Sequence, residues 1–351
     1  MDIHILDALA RGGFEEVLAF TDRKSGLRAF LAIHDTSRGP AFGGMRRWAY
    51  RTENEALRDV MRLGRAMTHK CVLLGLPCGG GKLVLLDDPQ MDRAAAYRHI
   101  GTVVERMSGR YYTGPDVGTG AEELGWTAEN TSFVTRPGPE GPGQLAEATA
   151  EGVFAGIASA LRHRDGEEDW KSRTVVVQGL GAVGALLCKR LLSVGAKVSG
   201  VDVDAERADL VGHELDMQVL DASSEYDAVC DVFAPCALGG ILHDLSIPRL
   251  RCQVVAGAAN NVLTKPIHGD LLHGRGILYA PDFVINSGAL VRGATFHLEG
   301  HRESVEAIGA RIGGTLDRIL DAAREEQRPP ARYAFDEAEQ LIAKGREAVK
   351  N

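Results

Sequence analysis

The run Thr174-Val-Val-Val-Gln178-Gly179-Leu-Gly181-Ala-Val-Gly184-Ala-Leu-Leu-Cys188 decides the fold of this chain. Thr174–Gln178 reads as a short strand, and a helical pattern from Ala185 to Ser193 follows the glycines. A lone G-x-G-x-x-G carries little weight, but between a strand and a helix it carries much more. Gly179 permits the tight turn, Gly181 lets a pyrophosphate approach the backbone, and Gly184 lets the helix pack close to the strand. The helix start, with Ala182 and Val183, offers free N–H groups and a positive dipole end to phosphates. The next strand, Lys197–Val201, leads into Asp202, where an acid accepts the adenosine ribose hydroxyls. A carboxylate there repels a 2′-phosphate and favours NAD over NADP, with Arg207 nearby as the one opposing sign.

Downstream, apolar runs at Val229–Ala234, Gln253–Ala256 and Ile277–Ala280 alternate with helical stretches. That rhythm predicts a parallel, doubly wound Rossmann-type sheet over residues 146–324. Upstream, the Pro/Gly-rich Arg136–Gly143 marks a linker, so residues 1–140 are expected to form a separate mixed α/β domain. The first domain is expected to hold strands at Glu16–Thr21 and Leu27–His34 and a helix capped at Thr52 and ending near Met67. Gly75-Leu-Pro-Cys-Gly79-Gly80-Gly81-Lys82 then reads as a loop before a strand Leu83–Leu86. The tail is helical with a break at Pro329-Pro330, and its last helix, within 325–351, is expected to pack back on the first domain.

The bulk numbers fit this two-domain reading. There are 351 residues with 44% hydrophobic and 25% charged, an ordinary globular balance. A net charge of -8 with no basic run argues against a nucleic-acid partner. The N-terminal residues mix charge into their apolar positions, so neither a signal peptide nor a membrane span is expected. The six cysteines form no C-x-x-C pair and read as buried thiols of a reducing, cytoplasmic setting.

Lys82 follows three glycines and precedes four apolar residues, a setting that desolvates an ammonium and lowers its pKa toward a usable base. The segment is no phosphate-binding P-loop, because Leu83 stands where Ser or Thr must bind magnesium. Asp116, in the loop Thr113-Gly-Pro-Asp-Val-Gly-Thr119, taken alone reads equally as a turn aspartate. His297-Leu-Glu-Gly-His301 places two histidines at i,i+4, but its Glu is out of register for H-E-x-x-H and no third ligand is evident, so no metal is expected.

Eight segments taken together carry a resemblance: Gly39-Pro-Ala-Phe-Gly43-Gly44-Met-Arg46, Met67-Thr-His-Lys70, Pro77-Cys-Gly-Gly-Gly-Lys82, the Asp116 loop, the glycine motif, Ala234-Pro235-Cys236-Ala-Leu-Gly-Gly240, Gly257-Ala-Ala-Asn260-Asn261 and Tyr279-Ala-Pro-Asp-Phe-Val-Ile-Asn286. In this order, over nearly the whole chain, they resemble the Glu/Leu/Phe/Val dehydrogenase family. The resemblance implies NAD-dependent oxidative deamination of an L-amino acid, reversibly, to its 2-oxo acid and ammonia, by a homo-oligomer. It implies that Lys70 binds the substrate carboxylate with the backbone at Gly43 and Gly44. Lys82 would be the general base and Asp116 the proton exchanger that steadies the cationic iminium. Asn261 would touch substrate and nicotinamide, and Thr149, Ala234, Pro235, Cys236 and Asn260 would line the cofactor.

Selectivity in the family is implied to be a volume question at a few positions. Gly114 stands where branched-chain enzymes tend to have alanine, Leu290 matches several phenylalanine enzymes, and Gly293 replaces a usual Val or Leu. One methylene is worth only about 1–3 kcal/mol of discrimination. The expectation is a large aromatic substrate such as phenylalanine or tryptophan, with a branched-chain substrate or a non-catalytic NAD sensor as alternatives. The polar stretch from Arg292 to His301, and Asn286-Ser-Gly-Ala where the family has Asn-Ala-Gly-Gly, leave a specialised substrate open.

Overall fold

The computed structural model describes residues 4–166 and 169–350. Residues 1–3 and 351, where the N-terminal reading and the outer domain limits fall, lie outside the described residues, as do 167–168. The chain divides into two compact units. One comprises the chain up to Gly143, the stretch Gly293–His301 and the C-terminal stretch from Ala338; the other comprises Gln144–Arg292 and Arg302–Glu337.

The first unit is built on a sheet of Glu16–Asp22 (β1), Leu27–Asp35 (β2), Ala41–Phe42 (β3), Met45–Trp48 (β4), Gly79–Leu86 (β5) and Tyr111–Tyr112 (β6). Their order is β1-β2-β5-β3-β6, with β4 also lying along β5. β1, β2 and β5 pair antiparallel, whereas β3 and β4 run parallel to β5. Alternation along β2 and β5 sends Leu31, Leu83 and Leu85 to a core with Tyr97, Ile100 and Tyr111. Ala32 and Val84 face the other way, against Val60 and Leu57 of the helix Glu53–Leu73.

Two elements differ from the sequence reading, for one reason. The helix expected to stop near Met67 continues to Leu73, because Thr68 through Leu73 are all buried. The glycine run expected to be a loop is the start of β5, buried from Gly79 onward. A Cβ on Gly79 would be driven into the Asp35 carbonyl, and one on Gly80 into the Thr68 backbone of that helix. The glycines are there because helix and strand approach too closely for any side chain, an effect that periodicity does not register.

The second unit carries Thr174–Gln178 (β7), Lys197–Val201 (β8), Gln218–Val219 (β9), Val232–Pro235 (β10), Val254–Val255 (β11) and Leu278–Tyr279 (β12). Every pairing is parallel, in the order β12-β11-β10-β7-β8-β9. β7 is central, and the strand order reverses direction beside it, at the edge where a doubly wound sheet opens its ligand crevice. β9 has two residues and no alternation to betray it in the sequence. No helix among the described residues is long and apolar enough to cross a membrane.

Candidate active site

The site in the first unit is assembled on β5. Lys82 is its fourth residue, opposite Ala32 of β2, and its side chain is 7% exposed. Its Nζ lies 2.8 Å from Asp116 Oδ2. Asp116 is brought there by β4, whose alternate N–H groups grip the aspartate loop: Met45 N–H donates to Gly114 O and Arg47 N–H to Val117 O, each at 2.9 Å. Between them Arg46 turns toward Asp116, donating from Nε to Oδ2 at 3.0 Å. Its Nη1 reaches Asp59 at 3.2 Å, and Asp59 also accepts from Tyr50 (2.7 Å) and Arg62 (2.6 Å). Charges therefore alternate from Lys82 through Asp116, Arg46 and Asp59 to Arg62.

The electrostatics follow from that chain of charges. Burial alone raises a carboxyl's pKa, but Lys82 and Arg46 on either side outweigh it and hold Asp116 at about 2. Lys82 is pushed below its ordinary value, first by desolvation and further by Arg46, with Asp116 opposing. An anion fixed against an ammonium that releases its proton more easily than usual is a device for moving protons.

Gly43 and Gly44 separate these two groups. A Cβ on Gly43 would strike the Gly81 carbonyl, and one on Gly44 would strike Pro115 O and lie 3.0 Å from Asp116 Cβ. Gly43 N–H donates to Tyr112 O at 3.1 Å and is engaged within the sheet. Of these two glycines, it is Gly44 whose N–H is left unengaged. Lys70 is buried in the last turn of Glu53–Leu73, two residues beyond Thr68, which abuts Gly80 two residues before Lys82. Gly114 and Gly293 both lie against the Thr135 side chain, their Cβ positions 3.3 and 3.2 Å from it. The space left by the two missing side chains is thus occupied by Thr135. His301 is exposed, 3.8 Å from Glu299, while His297 meets Thr135.

The second unit holds the remaining expected residues. Gly179 has φ +94°, and a Cβ there would lie 2.6 Å from Ala237 Cβ. A Cβ on Gly184 would enter the Gly179 carbonyl, so the helix Ala182–Ser193 can close on β7 only through glycine. Gly181 is the opposite case: nothing lies within 4 Å of a Cβ built on it, and with Ala182 it is exposed. No side chain caps that helix, so its first N–H groups, among them that of Val183, face outward. This is a cradle for a phosphate-bearing group. Asp202 accepts from Leu180 N–H at 2.8 Å. Burial raises its pKa, but the N–H groups of Asp204 and Leu180, with Arg207, outweigh that and lower it. Arg207 is tied to Asp204 at 2.7 Å and to Asp202 at 3.4 Å, which leaves little of its charge for a 2′-phosphate.

Ala234 and Pro235 end β10, paired with Val177 and Gln178, and Cys236 N–H donates to Gln178 O at 2.6 Å. Burial pushes the Cys236 thiol up to about 12, so it is a neutral lining group. Asn260 accepts from the Asn286 amide at 3.0 Å, and Asn261 adopts φ +54°, a conformation asparagine tolerates better than most residues. Thr149 is buried in the helix Leu145–Asp165, donating to Leu145 O at 3.1 Å. Leu290 is half-buried near the start of the helix Gly288–Glu299.

Arg46 and Thr135 were given no role by the sequence. Arg46 stood inside a quoted motif, and its sign, beside a lone loop aspartate, was the available signal. Thr135 had none, for it lies in a loop and acts through contacts with residues far away in the chain.

Comparison with known proteins follows the same division. Residues 15–133 match the family profile "Glu/Leu/Phe/Val dehydrogenase, dimerisation domain". Residues 141–208 and 202–295 match "Glutamate/Leucine/Phenylalanine/Valine dehydrogenase". A leucine dehydrogenase of Thermoactinomyces intermedius is 41% identical over 90% of this chain and 86% of its own length. A phenylalanine dehydrogenase of the same organism is 38% identical, over 90% and 87%. The crystal structure of L-tryptophan dehydrogenase from Nostoc punctiforme superposes with a TM-score of 0.83 at 34% identity, covering 97% of this chain and 99% of that one.

Proposed function

Because the chain belongs to the Glu/Leu/Phe/Val dehydrogenase family, an amino-acid dehydrogenase family acting on CH–NH2 groups, we propose that it oxidatively deaminates an L-amino acid with NAD, reversibly and as a homo-oligomer. The observation that carries this reading is the buried Lys82–Asp116 contact at 2.8 Å, backed by Arg46. NAD would be held by the loop from Gly179 to Gly184, with Asp202 on the ribose and Thr149, Ala234, Pro235, Cys236 and Asn260 along its length. When bound, its nicotinamide supplies the hydride acceptor.

The chain's own residues would do the rest. Lys70 and the Gly44 N–H hold the substrate carboxylate, and Asn261 orients the amine-bearing carbon. Loss of hydride from Cα leaves a cationic iminium, which Asp116, anionic far below neutral pH, stabilises by charge. Lys82, neutral more readily than an exposed lysine, takes a proton from the water that attacks the iminium carbon. That proton then passes from Lys82 through Asp116, 2.8 Å away, to the departing amine, which returns both groups to their starting states. A non-catalytic NAD sensor would have no use for such a pair.

For the substrate we favour a large aromatic amino acid, since Thr135, which lies against Gly114 and Gly293, bonds His297, and that ring meets the stacked pair Phe42 and Tyr112, whose centroids are 4.7 Å apart. A branched-chain substrate is the second reading, favoured by the Thr135 side chain that occupies the room over both glycines. A steady-state screen of the twenty L-amino acids with NAD and with NADP tests the proposal. We expect NAD reduction with aromatic or branched-chain substrates and little with NADP; no turnover with any amino acid would overturn it.

A further inference from the structure

The polar stretch from Arg292 to His301 takes no part in the chemistry above. Within it, Gly293 and His297 are four residues apart on one helix and so share a face. Both residues meet Thr135. Thr135, held by its own N–H to Thr113 O at 2.7 Å, lies against Gly293 and Gly114 and bonds through Oγ1 to His297 Nε2 at 3.1 Å. The His297 ring also tilts against Tyr112 (4.9 Å between centroids) and Phe42 (6.2 Å). Phe42 precedes Gly43 and Gly44, the latter with its Cβ position 3.0 Å from Asp116 Cβ, and Gly114 is two residues from Asp116, so the backbone joins the patch to the pair Lys82 and Asp116.

Aromatic faces with one hydrogen-bonding edge are suited to a planar ring that itself carries a polar group. A wall that contains a hydrogen-bonding group discriminates by chemistry where methylenes discriminate only weakly by volume. We infer that the Thr135–His297 pair is the polar wall of the substrate side-chain subsite, and that it selects aromatic amino acids whose ring bears an N–H, indole first, over rings that lack one. This rests on the dehydrogenase reading and names the substrate class within it. Burial keeps His297 below its ordinary pKa, hence neutral at assay pH with one ring nitrogen able to accept.

The test compares L-tryptophan with 3-benzothienyl-L-alanine, in which sulfur replaces the ring N–H at nearly constant shape. L-Leucine and L-phenylalanine serve as controls for dehydrogenase activity itself. In the wild type kcat/KM should favour tryptophan by about tenfold, the worth of one good hydrogen bond. His297→Phe and Thr135→Val should bring that ratio near one, whereas Thr135→Ser, which keeps the hydroxyl, should retain it. A wild-type ratio near one, or turnover of the controls with neither ring substrate accepted, overturns the inference even if no variant folds. Failure of every amino acid, controls included, overturns the dehydrogenase reading and this one with it.

Discussion

Arg46 acts on both Asp116 and Lys82, in the same direction. It lowers the pKa of Asp116 by attraction and that of Lys82 by repulsion. Arg46→Met should therefore move both groups upward, shifting the acid limb of the kcat/KM profile toward higher pH by about one unit. Arg46→Lys should shift it less, since a point charge replaces the fork but keeps the sign. An unchanged pH profile in Arg46→Met would mean that Asp116 needs no second cation. Lys82→Ala should cost about 10²–10⁴-fold in kcat, while NAD affinity measured by calorimetry stays within about twofold, the glycine loop being untouched. At this scale motifs singled out Lys82 and Asp116, which the fold brings to 2.8 Å of each other. The sequence was opaque where function depends on a partner distant in sequence: Thr135 closes over Gly114 and Gly293 without any local pattern to announce it.

Two elements, β5 and the helix Glu53–Leu73, set the geometry of the site by their closeness. Gly80→Ala should destabilise the protein by about 3 kcal/mol, because the added carbon meets backbone and neither element can yield. Urea denaturation would read this directly. His34 pins the same helix from the other direction. Its Nδ1 and Nε2 bond Thr68 (2.8 Å) and the Gly12 carbonyl (3.2 Å), and desolvation, aided by Arg346, lowers its pKa to about 4. The unfolded chain takes up a proton near pH 6.5 where the folded one does not, so this group's stabilisation is full above pH 6.5 and falls as pH drops toward 4. The loss between pH 7 and 5 should be about 2 kcal/mol, and it should be missing from the pH dependence of His34→Gln. The strands and helices read well from periodicity wherever one face is buried. The exceptions, the glycine start of β5 and the two-residue β9, are those where close approach or brevity overrides side-chain alternation.

For the whole molecule, the parallel sheet of the second unit was legible because it rests on many residues. The return of the chain to the first unit at Gly293–His301 was not, since no composition change marks it. NAD at 100 times its Kd should stabilise the protein by about 2.7 kcal/mol. NADP at equal concentration should do far less, because Arg207 is already engaged by Asp202 and Asp204. Equal thermal shifts with the two nucleotides would contradict the assignment of Asp202.

The first unit draws on three separated stretches of chain, the last of them the C-terminal one from Ala338. From that stretch Glu339 reaches His69 and Arg65, next to Lys70, and Arg346 reaches Asp35 at the end of β2. During synthesis on the ribosome, then, the amino-terminal unit emerges first but is completed last. Until the final turns clear the exit tunnel, its aspartate and histidine wait for partners, and the nucleotide-type sheet has every residue it needs beforehand. A nascent chain arrested with residue 337 just clear of the tunnel should already resist protease across the second unit while remaining cleavable in the first.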